Sequence, residues 1–255
     1  MSDVSSDHGR QFPARWPGVA WGPAAAVIVT VAALVGSQIV AGLIVLLVHN
    51  GARDGWLMSI AGQFYFVVAT DILLLLTIWV FLQSRRAGWA QLGWGRQPVW
   101  RDVGAALLAY VTYFGVFFML TILASTLTQI NLGQKQELGF DQLFTSGQKL
   151  LALVSLVVLP PIIEETVFRG FLFSGLRKKC NFIVAALVTS VLFASLHLLA
   201  SSQGPLWIAG LDTFVLSLVL CYLREKTGAL WAPMMLHALK NVIAFTILLS
   251  SVAVL

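Results

Sequence analysis

Long apolar runs separated by short polar segments dominate the chain. Seven runs stand out: Ala24 to Val48, Ile60 to Leu82, Val103 to Leu127, Leu150 to Leu176, Ile183 to Ala200, Leu206 to Tyr222 and Leu230 to Val252. A bilayer core about 30 Å thick needs ~20 apolar residues of α-helix. Lipid offers no partner to an open backbone group, so helices are the expected spanning element. A transmembrane barrel would show short alternating segments instead, and none are visible. The pattern therefore predicts an all-α, polytopic transmembrane helical bundle. A polar tail, 1–23, is expected to precede one transmembrane domain, 24–255, and no second soluble domain is indicated. The first run is longer than a signal-peptide core and reads as a retained anchor.

Composition agrees. Apolar residues make up 58% of the 255 and charged residues 11%, against roughly 25% charged in a soluble domain. The net charge of +5 is topological. Arg10 and Arg15, Arg85 to Arg101, Arg177 to Lys179, and Arg224 with Lys226 fall in alternate loops, which places those loops and the N-terminus on the cytoplasmic side. No basic patch with interleaved aromatics supports nucleic-acid binding. The segment Arg85 to Arg101 sets Trp89, Trp94 and Trp100 among basic residues, as expected of an interface-lying helix or loop. A short amphipathic helix is expected within Asn131 to Lys149. No internal repeat favours an inverted-repeat transporter. Cys180 and Cys221 are not expected to pair, lying by these spans in different compartments.

Ionisable residues inside apolar spans are costly and persist where they pair or act. The first three spans carry Asp71 and the border residue Asp102. The last four carry Glu164, Glu165, Arg169, His197, Asp212, His237 and Lys240, so the chemistry is expected in 150–245. Pro160 and Pro161 remove two backbone donors, so the helix should kink or restart there and leave neighbouring carbonyls free. Two carboxylates follow. Glu165 and Arg169 are four apart and share a helix face, which predicts an ion pair. Glu164, rotated about 100° away, lacks that partner and is left for general-base work. Phe193 and His197 share a second face, and His237 and Asn241 a third. His and Asn side chains can donate to an oxyanion. Asp71, Asp212 and Lys240 carry simpler readings: a cavity-lining acid, a capping or hydrogen-bonding acid, and a lysine that snorkels. At ~1.5 Å per residue, Glu164 and His197 fall near mid-membrane but His237 nearer one end. The segment around Pro233 is expected to enter the membrane irregularly, unless the span boundaries differ.

Glu164-Glu165…Arg169, Phe193…His197 and His237…Asn241, in that order, resemble the motifs of the CPBP family, the CAAX proteases and bacteriocin-processing enzymes also called Abi. The run Tyr222 to Asn241 resembles the family's closing segment nearly throughout. The resemblance implies a bundle of seven to eight membrane helices with its site inside the membrane. It implies an intramembrane endopeptidase of glutamic type, similar to the prenyl-protein CAAX endopeptidases of type II, acting on membrane-embedded or lipidated peptides. Glu164 and His197 would activate water, and His237 and Asn241 would stabilise the oxyanion. Glu165, Arg169 and Phe193 would support them. A prokaryotic cytoplasmic membrane is the expected location. No cofactor is expected. A His₂Glu zinc site built from Glu164, His197 and His237 stays open as an alternative, although the spacing His-Glu-x-x-His is missing. A transporter and a non-catalytic scaffold are the readings from other classes.

Overall fold

The computed structural model describes residues 18–48, 59–128, 145–201 and 204–252. Apolar helices lie at all seven predicted places: α1 (Pro23–Val48), α2 (Ile60–Ser84), α3 (Trp100–Leu127), α4 (Ser146–Arg177), α5 (Phe182–Leu198), α6 (Trp207–Thr227) and α7 (Trp231–Val252). Six are long and apolar enough to cross a membrane. α5, at 17 residues, is shorter. Outward-facing side chains such as Leu47, Leu108 and Val111 are large, apolar and exposed, as lipid contact requires. The chain is a multi-pass helical membrane bundle. Most of the segment Asn131 to Lys149 lies outside the described residues. Its end forms the cap of α4, where Thr145 and Gln148 bond each other's backbone N–H reciprocally.

The helices share two main apolar cores, joined where α5 packs along α6. α1, α2, α4 and α5 share one apolar core that includes Leu74, Ile78, Phe168, Phe171 and Ala185. α3, α6 and α7 share another around Ala106, Tyr113, Leu216 and Leu236. α1 buries a row of small residues, Ala26, Thr30, Ala33, Ser37 and Ala41. Such rows let helix backbones approach closely in lipid, where hydrophobicity alone does not drive association. Trp21, at the end of the stretch read as a tail, is buried. It donates from Nε1 to Phe171 O at 3.0 Å and stacks on the Phe171 ring.

α4 is one continuous path with two wide turns. Val154–Val158 and Glu165–Phe173 are π-helical, and Leu159–Glu164, with both prolines in its first turn, is α-helical. The predicted disturbance at Pro160-Pro161 takes this form rather than a break. π turns leave backbone carbonyls to other donors. Ser174 Oγ and Arg224 Nε both reach Arg169 O, at 3.0 and 3.4 Å.

Two expectations need correction, and the border residue Asp102 gains a role. The segment between α2 and α3 does not simply lie at the interface: a turn at Ala90–Trp94 enters the bundle, with Leu92 and Gly93 buried. Trp94 Nε1 donates to Thr166 Oγ1 at 3.3 Å, Leu230 N to Gly93 O at 3.2 Å and Trp231 Nε1 to Arg96 O at 2.7 Å. Gly170 makes the entry possible, because a Cβ there would sit 2.9 Å from Leu92 O. Arg177 and Arg224 are not loop cations: both are buried in helices. Arg177 forks onto Glu225 at 2.9 and 2.7 Å. Asp102 is a cap acid, accepting from Val99 N and from both terminal nitrogens of Arg96.

Gly93 holds φ at 108°, and a Cβ there would lie 2.8 Å from the Arg224 guanidinium. Gly93→Ala combines left-handed strain with that clash, and such strain costs about 1–3 kcal/mol. Thermal unfolding in detergent should show a clear loss of stability for Gly93→Ala. It should show none for Gly88→Ala, where a Cβ meets nothing within 4 Å. Equal melting temperatures for the two variants would contradict this packing.

Candidate active site

The wide turns of α4 and the short α5 bring the four expected chemical residues to one cavity of about 230 Å³ between the two helix groups. Glu164, His197, His237 and Asn241 all line it, with Phe193, Pro160 and Lys240. That volume admits several water molecules. The mismatch in depth of His237 is resolved by the start of α7. Ala229, Leu230 and Ala232 are almost fully buried, and the turn preceding the helix is tied to Gly93 O. α7 therefore begins inside the bundle, which brings His237 level with the carboxylates.

Glu165 and Arg169 pair as predicted, with Nη1 to Oε1 at 3.0 Å and both side chains fully buried. The same Oε1 also accepts from His237 Nδ1 at 2.9 Å, a bond the sequence reading missed. The carboxylate is the acceptor, so Nδ1 carries the proton and Nε2 is turned towards Glu164, 3.8 Å from Oε2. His197 is set in the same sense. Its Nδ1 lies 3.1 Å from Phe193 O. A carbonyl only accepts, so Nδ1–H donates and Nε2 is left for the cavity. Phe193 is buried at the centre of the cluster. Its ring lies 5.0 Å from that of His197 and 6.1 Å from that of His237, with the Arg169 guanidinium 4.5 Å from its centroid.

Asn241 is placed by the two prolines. Its Nδ2 donates to Leu156 O at 2.9 Å. In α-helical register that carbonyl would accept from residue 160, and in π-helical register from residue 161. Both are proline and neither has an N–H. The Asn241 amide supplies the donor, which leaves its second N–H for the cavity. This role was legible in the sequence as a carbonyl with no possible helical partner.

The simpler reading of Asp212 holds and that of Lys240 changes. Asp212 does hydrogen-bond, accepting from Tyr113 Oη. Lys240 does not snorkel; its Nζ meets Asp212 Oδ2 at 2.9 Å. Asp71 on α2 lies close enough to Glu164 for the two charges to interact. Cys180 and Cys221 are both free thiols.

A helical membrane bundle with paired carboxylates, imidazoles and an amide around an internal cavity is the class that fold and site define. Residues 146–243 match the family described as Type II CAAX prenyl endopeptidase Rce1-like. That segment holds every residue of the carboxylate–imidazole cluster, so the likeness to this family covers the candidate site. The chain is 33% identical over 93 residues to a Bacillus subtilis (strain 168) protein named "Putative membrane peptidase YdiL", covering 36% of this chain and 34% of that protein. It is 32% identical over 90 residues to an Escherichia coli protein named "Uncharacterized 24.3 kDa protein", covering 34% of this chain and 40% of the other. The chain thus spans two-fifths or less of the length of these curated relatives. No solved structure gives a significant match.

Removal of the Asn241 amide takes the protein partner from a part-buried carbonyl, and a typical net hydrogen bond is worth about 0.5–1.5 kcal/mol. In a Pro160→Ala background the new N–H of residue 160 can take Leu156 O. A double-mutant cycle on thermal stability should then show the Asn241→Ala penalty shrinking towards zero, with a coupling of roughly 0.5–3 kcal/mol. The same penalty in both backgrounds would contradict the assigned bond.

Proposed function

We propose that the protein is an intramembrane endopeptidase that hydrolyses a peptide bond of a membrane-embedded or lipidated substrate with water activated by Glu164 and His197. The observation that carries this reading is the convergence of Glu164 and two Nε2-presenting histidines on one cavity inside a membrane bundle. The match of residues 146–243 to a peptidase family supports it.

Water in the cavity donates one hydrogen bond to Glu164 and the other to His197 Nε2. As its oxygen attacks the scissile carbonyl carbon, Glu164 takes the proton. The carbonyl oxygen becomes an oxyanion. The second N–H of Asn241 and a proton on His237 Nε2 point at it, and Glu165 supports the positive imidazole through Nδ1–H. Each donor of this kind is worth about 2.7–4 kcal/mol in the transition state. Glu164 then passes its proton to the departing amine nitrogen, the C–N bond breaks, and two peptide termini result.

The zinc alternative would take Glu164, His197 and His237 as ligands. Among the described residues no group of three His, Cys, Asp or Glu side chains is gathered closely enough to hold a metal ion. We therefore favour hydrolysis without metal. The single domain 24–255, the cytoplasmic N-terminus, a prokaryotic cytoplasmic membrane and the absence of nucleic-acid partners belong to the same reading.

Purified protein in detergent or liposomes, given a membrane-tethered peptide, should cleave it, and Glu164→Gln and His197→Ala should each reduce kcat by at least ~100-fold. Unchanged cleavage in both variants would overturn the assignment. A strong chelator should leave the rate unaltered. Loss of activity with recovery on adding stoichiometric zinc would favour the metal reading instead.

A further inference from the structure

Asp71 stands half-buried in the middle of α2, and no step of the hydrolysis uses it. An ionisable group at such a place is costly unless it pairs or acts. Among the described residues it belongs to no ion pair. Its depth follows from the packing of α2 along α4. Ile60, at the start of α2, packs on the core of Ala152 and Val157. Phe81, near its end, sets its ring edge-on to that of Phe171 at 5.3 Å. The two helices therefore run side by side in the same direction. Asp71, midway between Ile60 and Phe81, comes level with the turn of α4 that carries Glu164. Leu74 and Ile78, three and seven residues further on, share a buried core with Ile163 and Val167, so Asp71 flanks the face of α2 turned to α4. The two carboxyl groups are close enough for their charges to interact. Asp71 does not line the cavity that holds Glu164, so it meets that side chain from outside the cavity.

Glu164 has room for such a neighbour. Its Oε2 is buried with no hydrogen-bond partner, and His237 Nε2, at 3.8 Å, is beyond hydrogen-bond reach. A buried carboxylate oxygen calls for a donor, and a carboxylic acid O–H is one. Two adjoining carboxylates repel, and one proton kept between them replaces that repulsion with a short, charge-assisted bond. Glu164 is otherwise faced by His197 of α5 and by His237 and Lys240 of α7 across the cavity. Glu165 and Arg169 follow it on α4. α1, packed against α2, carries no ionisable side chain.

We propose that Asp71 is a positioning residue for the hydrolysis, holding one proton and donating it in a hydrogen bond to Glu164, directly or through one water. The inference rests on the peptidase reading and adds to it a residue outside the cavity. The bond fixes the Glu164 carboxylate so that its other oxygen meets the cavity water. It also leaves the proton on His237 Nε2 for the oxyanion. The proton on Asp71 is not consumed: the one taken from water goes to Glu164 and on to the amine nitrogen.

Two readouts test this, and the first needs no cleavage. Infrared spectra of the protein in detergent at neutral pH should show a protonated-carboxyl C=O band that moves on exchange into D₂O. Asp71→Asn should remove that band, and Glu164→Gln should shift it. In the cleavage of a membrane-tethered peptide, Asp71→Leu should lower kcat at least ~10-fold with KM little changed, as expected on losing a hydrogen bond to a charged group. Asp71→Asn, whose amide N–H still donates, should keep most of the wild-type kcat. If Asp71→Leu does not fold, the spectrum of Asp71→Asn decides the matter. A spectrum from which Asp71→Asn removes no protonated-carboxyl band, a folded Asp71→Leu protein with the wild-type kcat, or an equal loss of kcat in Asp71→Asn and Asp71→Leu would each overturn the proposal. A wild type that shows the band and cleaves nothing would count against the peptidase reading instead.

Discussion

One oxygen of a fully buried carboxylate holds the site together. Glu165 Oε1 accepts from Arg169 within α4 and from His237 across on α7. A buried charge in an apolar bundle cannot stand alone: breaking one partner of such a pair costs about 3–5 kcal/mol. The requirement therefore fixes where α7 sits against α4. From there the consequences run outward. Arg169 lies over Phe193, and the Phe193 carbonyl sets the tautomer of His197. The Arg169 carbonyl is held by Ser174 and by buried Arg224. With Glu165 committed to the interior, its neighbour Glu164 is turned into the cavity.

The two prolines complement this. Glu165 draws α7 in at His237, and Leu156 O draws it in one turn further at Asn241. Two bonds one helical turn apart define the rotation as well as the position of α7. The pairing of His with Asn four residues on thus has a mechanical reason beside the chemical one proposed for it. Both residues are seated by the helix that carries the carboxylates.

Much of this was legible in the sequence because lipid makes the rules strict. Seven apolar runs became seven helices, since each span must satisfy its own backbone. The i,i+4 spacing of Glu165 and Arg169 sufficed for their pair. What escaped was set by contacts between distant segments. Nothing local reveals that the turn at Ala90–Trp94 enters the bundle; that depends on Gly170 leaving room for Leu92 O. Arg177 and Arg224 resemble loop cations until Glu225 and the Arg169 carbonyl are seen beside them. The depth of His237 could not be counted from span lengths, because α7 starts inside the protein. Lys240 and Asp212 lie on different helices, so no spacing rule joins them.

Glu164 as the water-activating base is the claim on which the functional account turns. Mass-spectrometric mapping of peptide termini in membranes carrying either the wild-type protein or Glu164→Gln at equal abundance tests it most directly. The account predicts new termini with the wild type that are absent with the variant. Termini that appear equally with both, or with neither while the variant still supports the cellular phenotype, would contradict it.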